Sequence, residues 1–236
     1  MTIPVAILAG GLATRMRPLT EKFPKALLEI HGRPFIEYQL ALLQQQGFTQ
    51  IVLCIGYEGQ QIEAHLGSGE KFGVRLSYSY DGTELLGTGG ALKKALPFLG
   101  EVFFVLYGDS YLDIAYAPVV ETFLANYQQT PESSLALMTV YKNDNQLDRS
   151  NVWFQNGQLL KYDKRKPIPE MEHIDWGLGI LTRQALQLFE IPKFDLADLY
   201  ERLVAQKKMM GYEVSQRFYE VGSFKGLEEL RTLLAS

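Results

Sequence analysis

The sequence predicts an α/β fold with a mostly parallel sheet, and three observations support that prediction. Short apolar runs of strand length alternate with helical patterns through the first half of the chain. The helical patterns end at a glycine or a proline, the residues that most often stop helices. Strands that alternate with helices are typical of βαβ units, in which the strands pair in parallel.

The elements of the first half follow one another with short connections. Strands are predicted at residues 3–8, 50–55, 76–80 and 102–107, and helices at 34–46, 60–66 and 89–96. The helices have apolar residues three and four positions apart, whereas the strands are apolar throughout or alternate with a period of two. A loop with two prolines, residues 10–28, follows the first strand.

The second half has a different pattern, which predicts a mixed sheet. Strands are predicted at residues 134–141, 152–154, 158–162 and 179–181, and helices at 196–206 and 224–234. Asn156-Gly157 between two of these strands is a strong hairpin signal. Residues 164–175 are expected to form a polar loop. Because no linker or internal repeat divides the chain, residues 1–236 are predicted to form a single domain.

Composition excludes several classes of protein. The chain has 23 Lys and Arg against 27 Asp and Glu, a net charge of −4, and a general nucleic-acid binder normally has a basic excess. No apolar run approaches the roughly 20 residues that span a bilayer, and the N-terminus lacks the pattern of a signal peptide. Cys54, the single cysteine, lies in an apolar run and is expected to be a small buried hydrophobe. A cytoplasmic protein that binds neither nucleic acid nor membrane is therefore expected.

The strongest candidate site is the glycine-rich loop after the first strand. Gly10 and Gly11 allow backbone N–H groups to approach a phosphate, and ligands of parallel sheets bind beyond the carboxyl ends of the strands. Arg15, Arg17 and Lys25 follow and can add charged hydrogen bonds. The loop matches neither the P-loop pattern nor the dinucleotide-binding pattern.

Four motifs in this order resemble those of the sugar-1-phosphate nucleotidyltransferases, and the likeness spans nearly the whole chain. They are the loop at residues 10–20 with Phe23-Pro24-Lys25, then Leu86-Gly87-Thr88-Gly89-Gly90-Ala91, Tyr107-Gly108-Asp109-Ser110, and Glu220-Val221-Gly222-Ser223. Ala13 stands where the family pattern has a glycine, and Glu220 where many members have aspartate. Within the family, the sequence is most similar to heptose-1-phosphate and mannose-1-phosphate guanylyltransferases.

The resemblance implies a fold and a reaction. The fold is a three-layer, doubly wound, Rossmann-like sheet without the left-handed β-helix domain that some relatives append. The reaction joins a nucleoside triphosphate, GTP favoured, to a sugar 1-phosphate, with D-glycero-D-manno-heptose 1-phosphate or mannose 1-phosphate favoured, and releases pyrophosphate. Mg²⁺ is the implied cofactor, and the chain is compatible with a monomer or a homo-oligomer.

The resemblance also assigns roles to individual residues. Arg15, Lys25 and Asp109 are the expected catalytic residues, and Asp109 and Glu220 the expected Mg²⁺ ligands. The nucleotide is expected to contact Leu8, Ala9, Gly10, Gly11, Thr88 and Gly89. The sugar phosphate is expected to contact Asn151, Lys164 and Asp175.

Other interpretations remain open from the sequence. Asp109 could instead cap a helix with Ser110, Lys164 could be a solvated loop lysine, and Glu220 a solvated charge at a strand end. The chain could transfer a uridylyl or cytidylyl group, or be a nucleotide-sugar sensor without activity. A nicotinamide-dependent oxidoreductase fits the sheet but lacks the glycine fingerprint.

Overall fold

A nine-stranded mixed sheet forms the centre of the molecule in a computed structural model that describes residues 3–235. In chain order the strands are β1 Val5–Leu8, β2 Glu29–Ile30, β3 Arg33–Pro34, β4 Gln50–Ile55, β5 Arg75–Tyr80, β6 Val102–Tyr107, β7 Ser110–Tyr111, β8 Ala136–Lys142, β9 Val152–Gln155, β10 Gln158–Tyr162, β11 His173–Thr182, β12 Met209–Val214 and β13 Tyr219–Glu220. The helices are α1 Phe35–Gln45, α2 Gly59–Leu66, α3 Gly87–Ala95, α4 Ala117–Gln129, α5 Arg183–Gln187, α6 Leu196–Ala205 and α7 Phe224–Leu233.

The strand order confirms the predicted mixed, mostly parallel α/β sheet. One path runs β10-β9-β11-β6-β1-β4-β5, and β8 pairs with β11 and with β12. The neighbours of β1 are both parallel to it, as are the pairs β4–β5 and β8–β12. Strand β11 is antiparallel to β6 and β8, which makes the second half of the sheet mixed. The hairpin of β9 and β10 forms at Asn156-Gly157, where both residues have the positive φ that a tight hairpin turn requires.

Helices cover both faces of the sheet, which gives the expected three layers. Alternate residues of β1 point to opposite faces, because side chains of a strand alternate. Val5 and Ile7 pack in one apolar cluster with residues of α1, α2 and α4, whereas Ala6 packs in another with residues of α3, α5 and α6. No helix within residues 3–235 has the length and apolar character that crossing a membrane requires.

Several elements differ from the sequence predictions. The sequence did not predict helices α4 and α5, strand β12 or the two short strand pairs β2–β3 and β7–β13. Strand β11 begins at His173, so the end of the expected polar loop is part of a strand. A register shift lies between Asp175 and Gly179 in β11. The Cβ of any residue replacing Gly179 would lie 2.8 Å from the Tyr200 hydroxyl oxygen, and this close packing explains glycine in a buried strand.

A third apolar cluster lies outside the main sheet and anchors the glycine-rich loop. It joins Met16 of that loop to Phe35 and to Val221, Leu227 and Leu230 near the C-terminus, and all five are buried. Strand β13 pairs with β7, with Glu220 opposite Ser110. The glycine-rich loop and residues 219–230 therefore meet at the carboxyl edge of the sheet, where the candidate site lies.

Candidate active site

The carboxyl ends of β1, β4, β5 and β6 form the floor of the site. The residues that follow these strands are Ala9-Gly10, Gly56, Asp81 and Gly108-Asp109. A Cβ on Gly108 would lie 2.6 Å from the main-chain oxygen of Leu8, and one on Gly56 would lie 2.9 Å from that of Gly10. Glycine at these two positions lets neighbouring strand ends approach closely and leaves backbone groups accessible.

The glycine-rich loop is held in place by local contacts. Ala13 has φ 50° and ψ 37°, the left-handed conformation that glycine adopts most easily, and the family pattern has a glycine at this position. The Thr20 hydroxyl donates a hydrogen bond to the main-chain oxygen of Ala13 at 2.8 Å. A short 3₁₀ turn, Thr14–Met16, then buries Met16 and leaves Arg15 facing the site.

The first cavity lies over β1, β4 and β5 and has a volume of about 260 Å³. It is lined by Leu8, Ala9, Gly10, Gly11, Lys25, Ala26, Cys54, Asp81, Leu85, Gly87, Thr88, Ala91, Tyr107, Gly108, Asp109 and Asp195. Backbone N–H groups, apolar side chains and a few charged groups are the composition expected of a site for a nucleotide-sized ligand. Cys54 is buried as predicted, and burial raises the pKa of its thiol to about 12, so it is an uncharged wall residue.

The second cavity lies over β6 and β11 and has a volume of about 430 Å³. It is lined by Arg15, Tyr107, Asp109, Ser110, Leu147, Asp148, Asn151, Lys164, Ile174, Asp175, Trp176, Gly177, Phe218, Glu220 and Ser223. Most of these side chains are polar or charged, unlike the walls of the first cavity.

Tyr107 and Asp109 line both cavities and separate them. The position of Asp109 is fixed because its main-chain oxygen accepts a hydrogen bond from Val221 N–H at 2.9 Å. The Gln39 amide donates to the main-chain oxygens of Tyr107 and Ser110, on either side of the turn that presents Asp109. Lys25 Nζ donates to Asp109 Oδ2 at 2.6 Å, and the two side chains are 20% and 24% exposed. Strand β7 follows Asp109 directly, so Asp109 does not cap a helix.

Three charged groups converge on Gly222. A Cβ at this position would lie 2.6 Å from Glu220 Oε2, 3.1 Å from Asp109 Oδ2 and 3.4 Å from a guanidinium nitrogen of Arg15. Glu220 is folded back on the start of α7, where its carboxylate accepts hydrogen bonds from Gly222 N–H and the Ser223 hydroxyl. Because Gly222 has no side chain, a space remains between the carboxylates of Asp109 and Glu220 and the guanidinium of Arg15.

Comparison with protein families identifies the chain. The nucleotidyl transferase family model matches residues 5–146, more than half of the sequence. The chain belongs to the nucleotidyl transferase family. The matched region contains the whole floor of the first cavity, from β1 to Asp109.

Individual relatives within this family differ in the base that their names give. The chain is 30% identical over 216 residues to a UTP–glucose-1-phosphate uridylyltransferase of Synechocystis, covering 84% of this chain and 54% of the relative. It is 44% identical over 117 residues to an N-acetylmuramate α-1-phosphate uridylyltransferase of Neisseria meningitidis, covering 49% and 51%. It is 27% identical over 218 residues to a D-glycero-α-D-manno-heptose 1-phosphate guanylyltransferase of Campylobacter jejuni, covering 92% and 93%. The chain thus spans about half the length of the first two relatives.

A solved structure supports the fold. A crystal structure of HddC from Yersinia pseudotuberculosis superposes with a TM-score of 0.81 at 23% identity, covering 98% of this chain and 99% of that one. At this identity the likeness shows the fold alone. The expected Rossmann-like nucleotidyltransferase fold is confirmed.

Most residues expected to contact the nucleotide line the first cavity. Leu8, Ala9, Gly10, Gly11 and Thr88 do so, together with Lys25 and Asp109. The Thr88 hydroxyl also accepts a hydrogen bond from Leu196 N–H at the start of α6. Gly89 has a different environment, because a Cβ there would overlap the Phe194 ring and its N–H donates to the Phe194 main-chain oxygen at 3.0 Å. The structure therefore gives Gly89 a packing function between α3 and the segment before α6.

The residues expected to contact the sugar phosphate lie together in the second cavity. Asn151, Lys164 and Asp175 all line it, although 24 residues of sequence separate the first from the last. The Asn151 side-chain oxygen accepts a hydrogen bond from Asp175 N–H at 3.0 Å, so it also holds β11 in place. Lys164 Nζ lies 5.3 Å from the centre of the Tyr107 ring. Arg15 lines this cavity as well.

Asp175 is an acid of the second cavity with one buried carboxylate oxygen. Its Oδ1 accepts a hydrogen bond from Gly177 N–H at 3.0 Å, whereas Oδ2 is buried without a hydrogen-bond partner. Burial raises the pKa of Asp175, and the Lys164 ammonium and the Gly177 N–H oppose that rise. A buried carboxylate oxygen without a partner is costly, and a ligand that donates hydroxyl groups would satisfy it.

Asp109 and Glu220 fit the requirements of a Mg²⁺ site. Mg²⁺ prefers one or two carboxylates together with phosphate oxygens and water, and these two carboxylates border the space at Gly222. No cluster of three or more His, Cys, Asp or Glu residues suited to a metal occurs within residues 3–235. A metal at this place would therefore take its other ligands from substrate and water.

Sequence reasoning missed Asp81 and Tyr107 as site residues. Asp81 resembles an ordinary turn residue before Gly82, and Tyr107 resembles the last residue of a buried strand. The signal that could have found them is their position, because both lie at the carboxyl end of a parallel strand, as Asp109 does.

Proposed function

We propose that this nucleotidyl transferase joins a nucleoside triphosphate to a sugar 1-phosphate and releases pyrophosphate. The observation that carries the proposal is the arrangement of two cavities that share Asp109 and Tyr107 as their common wall. A nucleotide in the first cavity and a sugar phosphate in the second would bring their phosphates together at this wall. Lys25 and Arg15 supply positive charge on either side of Asp109.

The reaction needs positioning and charge stabilisation rather than a strong base. A phosphate monoester, with a second pKa of about 6, is already largely ionised at neutral pH. Its oxygen attacks the α-phosphorus of the triphosphate, a new P–O bond forms, and the bond to pyrophosphate breaks. Holding both phosphates in line supplies much of the rate enhancement.

The chain's own residues account for the remaining requirements. Backbone N–H groups at Gly10 and Gly11 hold the triphosphate, and Lys25 stabilises the charge that develops at the α-phosphoryl group. Arg15 neutralises the leaving pyrophosphate, and Lys164 anchors the sugar phosphate. Asp175 Oδ2 accepts a hydrogen bond from a sugar hydroxyl, which gives this buried oxygen the partner it lacks. Mg²⁺, held by Asp109 and Glu220, would neutralise negative charge on the phosphates of both substrates.

GTP with D-glycero-D-manno-heptose 1-phosphate or mannose 1-phosphate is the favoured substrate pair. The similarity to the Campylobacter jejuni guanylyltransferase, which extends over almost the full length of both chains, supports this choice. Uridylyl transfer is the second candidate. The 44% identity to a uridylyltransferase over about half of this chain favours it.

Pyrophosphate release tests the proposal. The four nucleoside triphosphates are each incubated with Mg²⁺ and a set of sugar 1-phosphates that includes heptose, mannose, glucose and N-acetylmuramate 1-phosphates, and mass spectrometry identifies the nucleotide sugar. We expect pyrophosphate with at least one pair, and less than about a tenth of that kcat in Asp109→Asn, a barrier increase of about 1.4 kcal/mol. Nucleotide binding without pyrophosphate from any pair would instead indicate a sensor without activity.

A further inference from the structure

Gln39 is a buried polar residue on the apolar face of α1. The other buried residues of this helix are Phe35, Ile36, Leu40 and Leu43, and Gln39 lies among them with 2% of its surface exposed. An apolar side chain would pack at this position without the cost of burying an amide. A glutamine in such an apolar stripe therefore indicates a requirement that packing does not explain.

The amide nitrogen of Gln39 joins two points of the turn that follows β6. It donates to the main-chain oxygen of Tyr107 at 3.1 Å and to that of Ser110 at 2.7 Å. These two residues flank Gly108-Asp109, so one amide group closes the turn around the carboxylate that is proposed to hold Mg²⁺. The partners also fix the orientation of the amide, because the reverse orientation would turn its oxygen toward two carbonyl oxygens.

The amide oxygen of Gln39 makes no comparable contact. It is buried and has no hydrogen-bond partner within residues 3–235. A buried acceptor without a partner costs free energy, so this half of the amide destabilises the folded protein. The two hydrogen bonds that the nitrogen donates to the turn offset that cost, and they are the feature that distinguishes glutamine from an apolar residue at this position.

The turn is held from its other side by the segment that carries Glu220. The main-chain oxygen of Asp109 accepts a hydrogen bond from Val221 N–H at 2.9 Å, and Val221 follows Glu220 directly. The turn therefore lies between α1, through Gln39, and the second proposed metal ligand. Mg²⁺ tolerates little departure from octahedral geometry, so the distance between the two carboxylates has to be maintained.

We propose that Gln39 is a positioning residue for the metal, because its amide holds the turn that places the Asp109 carboxylate relative to Glu220. The inference rests on the proposed function, since the metal belongs to that reaction. Gln39 is not among the described residues that line the two cavities, so it acts through the turn. Without its two donors, the main-chain oxygens of Tyr107 and Ser110 would turn toward other donors or water, and Asp109 would move with them.

Two methionine variants test this role. Gln39→Met keeps the length of the side chain but removes both donated hydrogen bonds. The matched control is Gln46→Met, at the C-terminal end of α1. The Gln46 amide also links α1 to the chain after β6, because it donates to the Ile114 main-chain oxygen at 2.8 Å and accepts from Tyr116 N–H at 2.7 Å. Both variants should lower the melting temperature, because each loses two hydrogen bonds.

Calorimetric titration of the substrate-free protein with Mg²⁺ separates positioning from stability. We expect Gln39→Met to weaken Mg²⁺ binding at least about fivefold, about 1 kcal/mol, and Gln46→Met to weaken it less than about twofold. The Mg²⁺ concentration for half-maximal pyrophosphate release should rise in Gln39→Met and stay near the wild-type value in Gln46→Met. Equal weakening in both variants, or unchanged Mg²⁺ binding in Gln39→Met, overturns the proposal.

A milder pair of variants keeps the test decisive if Gln39→Met does not fold. Gln39→Asn retains an amide that is one methylene too short to reach both oxygens directly, and Gln46→Asn is its control. Gln39→Asn should weaken Mg²⁺ binding at least about threefold and Gln46→Asn less than about twofold, and equal effects would again overturn the proposal. If Mg²⁺ binding changes as expected but no substrate pair releases pyrophosphate, the proposed reaction fails while the role of Gln39 stands.

Discussion

Replacing Lys25 by methionine should strengthen the binding of Mg²⁺ while it slows the reaction. In the structure Lys25 Nζ contacts the same Asp109 oxygen that also borders the proposed metal site at Gly222. Lys25 begins a 3₁₀ turn, Lys25–Leu27, whose next two residues are buried, so its backbone is fixed beside Asp109. A divalent cation must displace this ammonium before it can use Asp109 fully.

The hydrogen bond between Lys25 and Asp109 sets the size of the expected change in Mg²⁺ affinity. A hydrogen bond to a charged group contributes about 1.5–3 kcal/mol. Removing it should therefore raise the affinity of the substrate-free chain for Mg²⁺ by roughly 10- to 100-fold. The same change should lower kcat, because Lys25 is proposed to stabilise charge that develops only in the transition state.

Calorimetric titration of the substrate-free protein with Mg²⁺ measures the first effect, and pyrophosphate release measures the second. Lys22→Met is the matched control, because it removes the same charge from an exposed position three residues earlier in the same loop. It should change the Mg²⁺ affinity much less than Lys25→Met does. Equal or weaker Mg²⁺ binding by Lys25→Met would refute the reasoning, as would a rise of the same size in the control.

Three further predictions concern strain, burial and the second metal ligand. Ala13→Gly should raise the free energy of unfolding, measured by denaturant titration, by about 1 kcal/mol, because glycine adopts the left-handed conformation of residue 13 without the strain of alanine. As a control, Ala64→Gly in the exposed interior of α2 should lower the free energy of unfolding by about as much. Asp175→Asn should raise the melting temperature near pH 7, because the folded pKa of Asp175 is raised and its ionisation therefore destabilises the folded protein. That destabilisation builds up as the pH rises from about 3.9, the unfolded pKa, through the folded pKa, so the gain from asparagine should shrink at lower pH. The KM for sugar phosphate should increase in the same variant. Glu220→Asp should require more Mg²⁺ for half-maximal rate and Glu220→Gln more still, and an unchanged Mg²⁺ dependence in both would exclude Glu220 as a ligand.

The sequence predicted well the elements that carry their own local signal. The apolar run of β4 has its predicted bounds, and the hairpin formed at Asn156-Gly157. Helix α4 was missed because only Val119 and Phe123 of its residues are buried, too few to give a clear apolar stripe. Strand β12 was missed because Gly211, Tyr212 and Glu213 interrupt any alternation, and its pairing with β8 depends on tertiary contacts.

The residues of the candidate site likewise fall into those that a local sequence signal predicts and those that depend on long-range contacts. The glycine-rich loop and Asp109 could be recognised because each follows a strongly apolar strand and matches a spaced motif. The use of Gly89 in packing against Phe194, by contrast, follows from a contact across 105 positions of the chain, which no local pattern encodes. The contact of Lys25 with Asp109 spans 84 positions and could not be predicted for the same reason.

Gly226 shows how a long-range contact can reverse a local expectation, and it supplies the last prediction. It lies within α7, where helix propensity alone predicts that Gly→Ala adds about 1 kcal/mol of stability. In the structure, however, a Cβ on Gly226 would overlap Glu220 Oε1 and lie 2.5 Å from the Glu220 main-chain oxygen.

Gly226→Ala should therefore push the Glu220 carboxylate away from Gly222, so that more Mg²⁺ is needed for half-maximal rate, while the gain in stability is lost. The control is taken from the end of α6, where Ala205→Gly should lower stability without changing the Mg²⁺ requirement. A Gly226→Ala variant that is more stable and has the wild-type Mg²⁺ dependence would show that α7 does not position Glu220.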